Sequence, residues 1–294
     1  MADSEHQQHD HGHGHSHGVG GGNGGDEAPL AELLDLDAEV LRGYLSDVTA
    51  WIEGHAGQGM SGRILDLGCG TGTGTFALLR RNGNAEVLAV DGSAYMLERL
   101  NEKARRHGVE KRVRTVQADL DAAWPDFEPV DVVWTSAFMH HLADPDVALG
   151  RLFDVLRPGG LLVVIEMDGF PRFLPKNLGG VEERSHAAVA AINAEVMPHI
   201  GDDWGRRLAD AGFAVEEKRT FNIGIGAPLS LSEVARRYAQ VSLGRMRARL
   251  EGVLSSEDLA ELDVLLDPEQ PESLTRRNDL YVSGRRFAWA ARRP

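Results

Sequence analysis

The sequence predicts an α/β protein with a doubly wound, mostly parallel sheet, and three observations support this prediction. Short apolar runs alternate with helical segments between residues 62 and 168. A glycine-rich stretch, "GCGTGTG", directly follows the first of these runs. The runs are almost continuously apolar, which is typical of parallel strands covered by helices on both faces.

Length, composition and charge favour a globular protein that acts on small molecules. The chain has 294 residues, 42% of them hydrophobic, which suffices for one large domain or two small ones. No apolar stretch approaches the ~20 residues that span a bilayer, and the start lacks the pattern of a secretory signal, so no membrane partner is expected. The single cysteine excludes an internal disulfide and favours a cytoplasmic location. A net charge of −14 disfavours nucleic-acid binding, and the oligomeric state is left open.

Residues 1–28 form a tail rich in histidine and glycine, with six of the twelve histidines of the chain. The tail has too few apolar residues to offset its own ordering entropy, so it is predicted to be disordered. The alternating histidines from His11 to His17 allow an alternative, the weak binding of a divalent metal. A closed structural zinc site is not expected, because no cysteine is near, and no metal is assigned to the folded domain.

Two N-terminal helices and an alternating series of strands and helices follow the tail. Apolar residues at helical spacing from Leu33 to Trp51 predict the helices within residues 29–57. Ser93 is expected to cap one later helix, and Pro158 is expected to end another. The predicted strands are "RILDL", "AEVLAV", "RVRTVQA", "VDVVWTS" and "LLVVIEM", and the predicted helices between them are "GTFALLRRN", "SAYMLERLNEKARRHG" and "DPDVALGRLFDVLRPGG".

After Asp168 the order of elements changes. Helices are predicted at "VEERSHAAVAAINAEVM" and "DDWGRRLADAG", followed by a strand at "FAVEEKRTF". Residues 223–279 have a helical pattern and are too long for a hairpin loop, so they are predicted to form a helical lid that shapes the substrate site. The stretch "DLYVSGRRFAWAARR" alternates like an edge strand and completes seven strands. The main domain is therefore expected to comprise residues 29–222 and 280–294.

The glycines of "GCGTGTG" indicate a nucleotide-like cofactor, because ligands bind beyond the carboxyl ends of parallel strands. Dinucleotide cofactors require the spacing G-x-G-x-x-G. Counting from Gly68 the last position is Thr73, and counting from Gly70 it is Thr75. A nicotinamide-dependent oxidoreductase is therefore a disfavoured alternative.

The stretch resembles the glycine loop of the class I S-adenosylmethionine-dependent methyltransferases, which place an acid two residues before G-x-G-x-G. Here these positions are Asp66, Gly68, Gly70 and Gly72. The resemblance extends over residues 62–169 and is greatest to the small-molecule branch, which includes quinone-biosynthesis and natural-product enzymes. It implies a Rossmann-like fold with S-adenosylmethionine as the cofactor.

The resemblance also implies roles for individual residues. Asp91, in "VLAVDGSAYML", would bind both ribose hydroxyls or only cap the next helix, and Asp119, in "VQADLDAAW", would accept from the adenine amino group. Asp66 would face the ammonium group of the cofactor or only tie the loop together. Met96 would press on adenine or belong to the core, and Cys69 is interpreted as a small structural filler. The implied cofactor-binding residues are Asp66, Gly68, Gly70, Gly72, Asp91, Gly92, Met96, Asp119, Leu120, Thr135 and Ser136.

His140 and His141 follow the fourth predicted strand, where the methyl group would emerge, and are the candidate catalytic residues. A general base helps when the acceptor is a phenol, an amine or a carbon acid. The alternative for either histidine is a buried, hydrogen-bonded structural role. Glu166 and Asp168 end the fifth strand at the same edge of the sheet and are second candidates.

Four residues are candidates for substrate binding. Glu183 and His186 lie on the helix predicted to cover the site. Arg236 and Arg237 belong to residues 234–250, which hold five arginines and no acid. Arginine pairs readily with carboxylates and phosphates, so these two side chains would grip an anionic group. The alternative is a solvated helix whose arginines pair with neighbouring acids.

The sequence thus predicts a methyltransferase that acts on an oxygen, nitrogen or carbon nucleophile of a small organic molecule. Natural-product tailoring and a carboxylate-bearing acceptor are narrower forms of this prediction. Besides the oxidoreductase, a non-catalytic regulator that binds S-adenosylmethionine is an alternative that the motifs leave open.

Overall fold

A computed structural model describes residues 27–57, 60, 62–175, 180–225 and 233–294. The predicted tail lies outside these residues except for its last two, which begin the first helix. The strands are β1 (Arg63–Leu67), β2 (Glu86–Asp91), β3 (Val113–Gln117), β4 (Val130–Ser136), β5 (Leu156–Met167), β6 (Ala214–Ile225) and β7 (Val282–Arg292). The helices are α1 (Glu27–Val40), α2 (Arg42–Ala56), α3 (Thr73–Arg81), α4 (Ala94–Arg106), α5 (Pro145–Val155), α6 (Val181–Val196), α7 (Trp204–Asp210), α8 (Glu233–Arg249) and α9 (Ser256–Leu266).

The seven strands form one sheet in the order β3-β2-β1-β4-β5-β7-β6. The pairs among β1 to β5 are parallel, and β7 runs antiparallel to both β5 and β6. The predicted α/β class and the mostly parallel sheet are confirmed. The carboxyl ends of β1, β4 and β5 therefore lie side by side along the same end of the sheet, which we call the rim.

The prediction that the last strand lies at the sheet edge is wrong. β7 lies between β5 and β6, and β6 is the edge strand. The centre of β7, Ala288 to Ala291, is at most 2% exposed, because both faces of the strand are covered. The arginines of β7 lie toward the two ends of the strand. Their alternation with apolar residues in the sequence is what suggested an edge strand.

Local signals set several helix boundaries. The Ser93 hydroxyl accepts a hydrogen bond from the Met96 backbone N–H at 3.1 Å and caps α4, as predicted. Helix α5 ends at Val155, three residues before Pro158, because a residue that precedes proline avoids the helical conformation. β6 continues to Ile225, so the first three residues of the predicted insertion belong to the sheet.

Helices cover both faces of the sheet. On one face, α2, α3 and α4 pack side chains such as Ile52, Leu78 and Leu100 against the strands. On the other face, α5 and α7 do the same, with Leu149 and Leu208 among the buried residues. Both cores are close to fully buried, so the sheet is doubly wound as the apolar runs predicted.

A third core joins helices α1, α6, α8 and α9, which we call the cap. The cap packs around Phe173, which follows β5, and around Ile223 and Val282, which end β6 and begin β7. Because β7 is antiparallel to β5, all three positions lie at the rim. The predicted helical insertion between β6 and β7 is therefore located at the rim, and its mobility as a lid stays a prediction. No helix in the described part of the chain is long and apolar enough to cross a membrane.

Candidate cofactor and substrate site

The glycine loop lies at the rim, between β1 and α3. Gly68, Gly70 and Gly72 all have left-handed backbone conformations, with φ of +70°, +51° and +90°. Such conformations strain any residue with a side chain. A Cβ on Gly68 would also lie 2.2 Å from Cγ of Phe138, so this loop passes too close to the segment after β4 for any larger residue.

Asp66 is buried beneath this loop. Its Oδ2 accepts a hydrogen bond of 2.6 Å from the Thr75 hydroxyl in the first turn of α3. Burial raises the pKa of the Asp66 carboxyl to about 7, because a charge there loses its hydration. The contact matches the alternative in which Asp66 ties the loop together, and its contact with the cofactor ammonium group stays a prediction.

Asp91 joins the end of β2 to the same loop. Its two carboxylate oxygens accept hydrogen bonds from the backbone N–H groups of Gly70, at 2.8 Å, and Ser93, at 2.9 Å. Burial raises the pKa of this carboxyl above its usual range. Glu27, in α1, accepts a 2.6 Å hydrogen bond from the Ser93 hydroxyl beside it. Asp91 thus connects the glycine loop to the residue that caps α4, and its ribose contact stays a prediction.

The remaining predicted cofactor residues surround the ends of β2, β3 and β4. Met96 and Leu120 are buried, Asp119 is exposed, and the Gly92 carbonyl accepts a hydrogen bond of 3.1 Å from the Gln117 amide. At the end of β4, Thr135 is fully buried and its hydroxyl has no hydrogen-bond partner among the described residues, while the neighbouring Ser136 is half-buried.

Helix α1 is fastened over the loop by a cluster that the sequence did not indicate. The Asp35 carboxylate accepts hydrogen bonds from the Thr71 hydroxyl, at 2.7 Å, and from Arg99, at 2.6 Å. Lys103 pairs with Asp35 and donates to the Thr71 carbonyl at 3.0 Å. The residues of this cluster are far apart in sequence, so no local spacing could have predicted the cluster.

The two candidate histidines lie in a tight turn after β4. His140 is buried, and its Nδ1 lies 2.6 Å from Oε2 of Glu166 in β5, which is also buried. The other oxygen of Glu166 is buried without a hydrogen-bond partner among the described residues. The His141 ring lies 4.1 Å from the His140 ring, and burial lowers the pKa of His141 to about 4, with a smaller contribution from His140.

The backbone that leads into this turn is strained. Ala137 has a φ of +53°, and among the described residues no other non-glycine residue has a left-handed conformation. Strain of this kind costs about 1–3 kcal/mol and is retained where the surrounding structure demands it. Its position between β4 and the two histidines supports the rim as the functional edge.

The predicted substrate residues have varied surroundings. Glu183 is exposed, and the Nε2 of His186 is buried without a partner among the described residues. Burial, and then Arg172, lowers the pKa of His186 to about 4. Arg237 is paired with Glu32 at 2.7 Å, and Arg236 donates to main-chain and side-chain oxygens. The arginine contacts match the structural alternative, so their role in substrate binding stays a prediction.

Asp168, a second candidate for the base, lies beyond the end of β5. It is ion-paired with Arg285, whose side chain is largely exposed. Asp168 therefore has a charged partner at the surface, whereas Glu166 is buried with the candidate base. Within the described residues, no three His, Cys, Asp or Glu side chains converge on a position for a metal ion.

Comparison with known proteins identifies the family. The profile of the methyltransferase domain family matches residues 64–160. The chain is 40% identical over 178 residues to the demethylmenaquinone methyltransferase of Thermus thermophilus, a match that covers 55% of this chain and 79% of that protein. The chain belongs to the S-adenosylmethionine-dependent methyltransferases.

Other relatives of this methyltransferase carry different names. The trans-aconitate 2-methyltransferase of an Azoarcus species is 34% identical over 50% of this chain and 48% of its own, so the chain spans about half of that relative. The 27-O-demethylrifamycin SV methyltransferase of Amycolatopsis mediterranei is 27% identical over 69% of both proteins. A Bacillus halodurans structure assigned as a methyltransferase has a TM-score of 0.50 at 19% identity, covering 79% of this chain and 93% of that one, which shows the shared fold.

The rim of this methyltransferase fits its cofactor, S-adenosylmethionine. Asp91 and the exposed Asp119 end or follow adjacent strands, where a nucleoside needs polar acceptors. The glycine loop lies beside Asp91, which accepts a hydrogen bond from the Gly70 N–H. The unpartnered hydroxyl of Thr135 is a buried polar group that a bound ligand can satisfy. Asp91, Asp119 and the loop would therefore hold the cofactor, with Thr135 at the end of β4.

Proposed function

We propose that this methyltransferase transfers a methyl group to an oxygen, nitrogen or carbon nucleophile of a small organic molecule. The observation that carries the proposal is the buried pair of His140 and Glu166 at the rim, joined at 2.6 Å. When bound, S-adenosylmethionine supplies a methyl group on a positively charged sulfur, which an aligned nucleophile can displace. The pair provides a base at the edge of the sheet where this cofactor belongs.

His140 would accept the proton that the acceptor loses. A carboxylate on Nδ1 favours the tautomer that carries its proton there, which leaves Nε2 as the proton acceptor. Glu166 would thus be a positioning residue that fixes the ring and its tautomer. His141, whose pKa is lowered to about 4, stays neutral at physiological pH and adds no charge beside the base.

The cap would exclude water and select the acceptor. It covers the rim, and its apolar core brings α1, α6, α8 and α9 together above the strand ends. Excluding water strengthens electrostatic interactions and protects the aligned geometry. Small-molecule acceptors, including a natural product or an organic acid, agree with the names of the relatives. The net negative charge and the single cysteine support a cytoplasmic enzyme.

Two measurements test the proposal. Calorimetric titration with S-adenosylhomocysteine and with NADH should show binding of the first alone. Incubation with methyl-labelled S-adenosylmethionine and metabolites of its host should transfer the label to small molecules. Binding of S-adenosylhomocysteine without label transfer to any metabolite would favour a non-catalytic regulator. Binding of NADH instead would favour an oxidoreductase.

A further inference from the structure

Arg286 is a buried arginine with poor pairing. Its side chain is only 7% exposed. Its Nη2 lies 3.8 Å from Oδ1 of Asp37, and its Nη1 makes a long 3.4 Å contact with the carbonyl of Arg285. No other hydrogen bond or ion pair of the Arg286 side chain is present among the described residues. A guanidinium has five N–H donors, so most of those of Arg286 have no acceptor among these residues.

Asp37 lies near this arginine but does not hydrogen-bond to it. The Asp37 oxygen nearest to Arg286 already accepts a 2.5 Å hydrogen bond from the Tyr238 hydroxyl of α8. At 3.8 Å, the guanidinium and the carboxylate are beyond ordinary hydrogen-bond distance. Arg286 therefore has a counter-charge close by, but its guanidinium keeps N–H donors that a ligand can use.

A second unsatisfied group lies close to Arg286. The Tyr44 hydroxyl of α2 is buried and has no hydrogen-bond partner among the described residues. The Tyr44 ring packs edge-on against Phe221 at 5.7 Å, and Phe221 is the β6 residue paired with Arg286. Burial raises the pKa of Tyr44, so the hydroxyl keeps its proton and can donate it. The two unsatisfied donors thus belong to neighbouring elements.

Arg286 lies at the rim of the sheet, beneath the cap. It lies opposite Met167, the last residue of β5, and therefore at the rim. Asp37 and Tyr238 place it against helices α1 and α8 of the cap. Its side chain points to the face of the sheet opposite to Glu166, because Glu166 and Met167 are successive residues of β5. A group bound by Arg286 would thus lie between the sheet and the cap, where the acceptor must enter.

We propose that Arg286, assisted by the Tyr44 hydroxyl, binds a carboxylate of the methyl acceptor. This inference rests on the proposed function and specifies its substrate class. The fork of a guanidinium matches the two oxygens of a carboxylate. A dianionic phosphate would meet stronger repulsion from Asp37, so the single negative charge of a carboxylate fits better. Arg286 replaces Arg236 and Arg237 as the primary candidate for this contact, since those side chains have acceptors already.

The test uses methyl-labelled S-adenosylmethionine and host metabolites separated by anion exchange before the reaction. The wild-type enzyme should label acceptors from the anionic fraction. Coupling the carboxylates of that fraction to an amine should abolish labelling, whereas phosphatase treatment should leave it intact. Labelling confined to the neutral and cationic fractions, or sensitive to phosphatase alone, would overturn the inference.

Variants then assign the contact to Arg286. Arg286→Met should lower labelling at limiting acceptor at least tenfold, with Arg286→Lys less affected and the affinity for S-adenosylhomocysteine unchanged in both. Arg292→Met removes a guanidinium from the opposite end of β7 and is the matched control. Should Arg286→Met fail to fold, Tyr44→Phe should still raise the KM for acceptor several-fold. Full activity of the folded Arg286→Met enzyme would contradict the assignment. If the wild-type enzyme binds S-adenosylhomocysteine but labels no fraction, the proposed function is contradicted instead.

Discussion

His140 and Glu166 form a buried pair across two adjacent strand ends, with 2.6 Å between Nδ1 and Oε2. Neither residue is more than 5% exposed. A ring held in this way has a fixed orientation, because it cannot turn without leaving a buried carboxylate unpaired. Separate predictions therefore follow for His140 as the proposed base and for Glu166 as the residue that would position it.

His140→Gln should lower kcat by about 10²–10⁴-fold, the usual contribution of a general base. Glu166→Gln should lower kcat less and alter the pH profile, because the ring loses its carboxylate. Steady-state kinetics with an acceptor that the wild-type enzyme methylates measures both effects, and titration with S-adenosylhomocysteine checks that the site is intact. His107→Gln, at the exposed end of α4, is the control. Equal loss of cofactor affinity and kcat would show that the pair is structural.

Asp91→Ala should weaken the binding of S-adenosylhomocysteine more than it weakens folding. Charge-assisted hydrogen bonds contribute about 1.5–3 kcal/mol, and this carboxylate is expected to bind the ribose besides Gly70 and Ser93. Calorimetric titration and thermal melting of the same sample separate the two effects. Asp126→Ala, at an exposed position, is the control. Unchanged affinity in a folded Asp91→Ala protein would leave Asp91 with only its structural contacts to Gly70 and Ser93.

Asp66 should make stability and cofactor affinity depend on pH in opposite directions. Its pKa is raised by burial to about 7, above the value of 3.8 in an unfolded chain. Its contribution to the free energy of unfolding is therefore complete below pH 3.8 and lost as pH rises to about 7. The slope is at most about 1.4 kcal/mol per pH unit.

If the ionised Asp66 faces the ammonium group, affinity for S-adenosylhomocysteine should rise up to about tenfold per pH unit below pH 7. Asp66→Asn should remove both pH dependences. Denaturant unfolding and calorimetric titration at several pH values measure them. An affinity in the wild type that is flat across this range would show that the carboxylate only ties the loop to Thr75.

Deletion of residues 1–26 should leave cofactor affinity and turnover unchanged, because the predicted tail precedes every motif. Deletion of residues 1–28 should weaken cofactor binding by several-fold. The longer deletion also removes Glu27, which accepts the 2.6 Å hydrogen bond from Ser93 next to Asp91. Titration of both proteins with S-adenosylhomocysteine makes the comparison. A large loss of turnover from the shorter deletion would assign a function to the histidine-rich tail.

The sequence predicted those features that local patterns determine. The strands, the insertion after β6 and the Ser93 cap all follow from spacing within a few residues. The position of β7 inside the sheet did not follow, since pairing between distant strands depends on burial that no local alternation reveals. The hydrogen bond that holds Asp35 of α1 to Thr71 of the glycine loop could not be predicted from the sequence either, because the two residues are far apart in the chain.

The arginines illustrate the same limit at the site. A run of five arginines in α8 drew attention to Arg236 and Arg237, but a sequence does not show which acids lie opposite a helix. The structure pairs Arg237 with Glu32, whereas Arg286, an inconspicuous residue of β7, is buried with only a 3.8 Å ion pair to Asp37. Burial and pairing, rather than the number of charges, distinguish these residues.

The interior position of β7 also affects how the chain folds. β6 emerges from the ribosome before β7, yet β7 must insert between β5 and β6 before β6 can join the sheet. Until then β5 and β6 both expose unpaired backbone groups, and exposed strand edges invite association with other chains. Helices α8 and α9 are synthesised during this interval. Substitutions that slow their folding would therefore prolong the aggregation-prone stage and lower the yield of enzyme, even where they leave the finished site untouched.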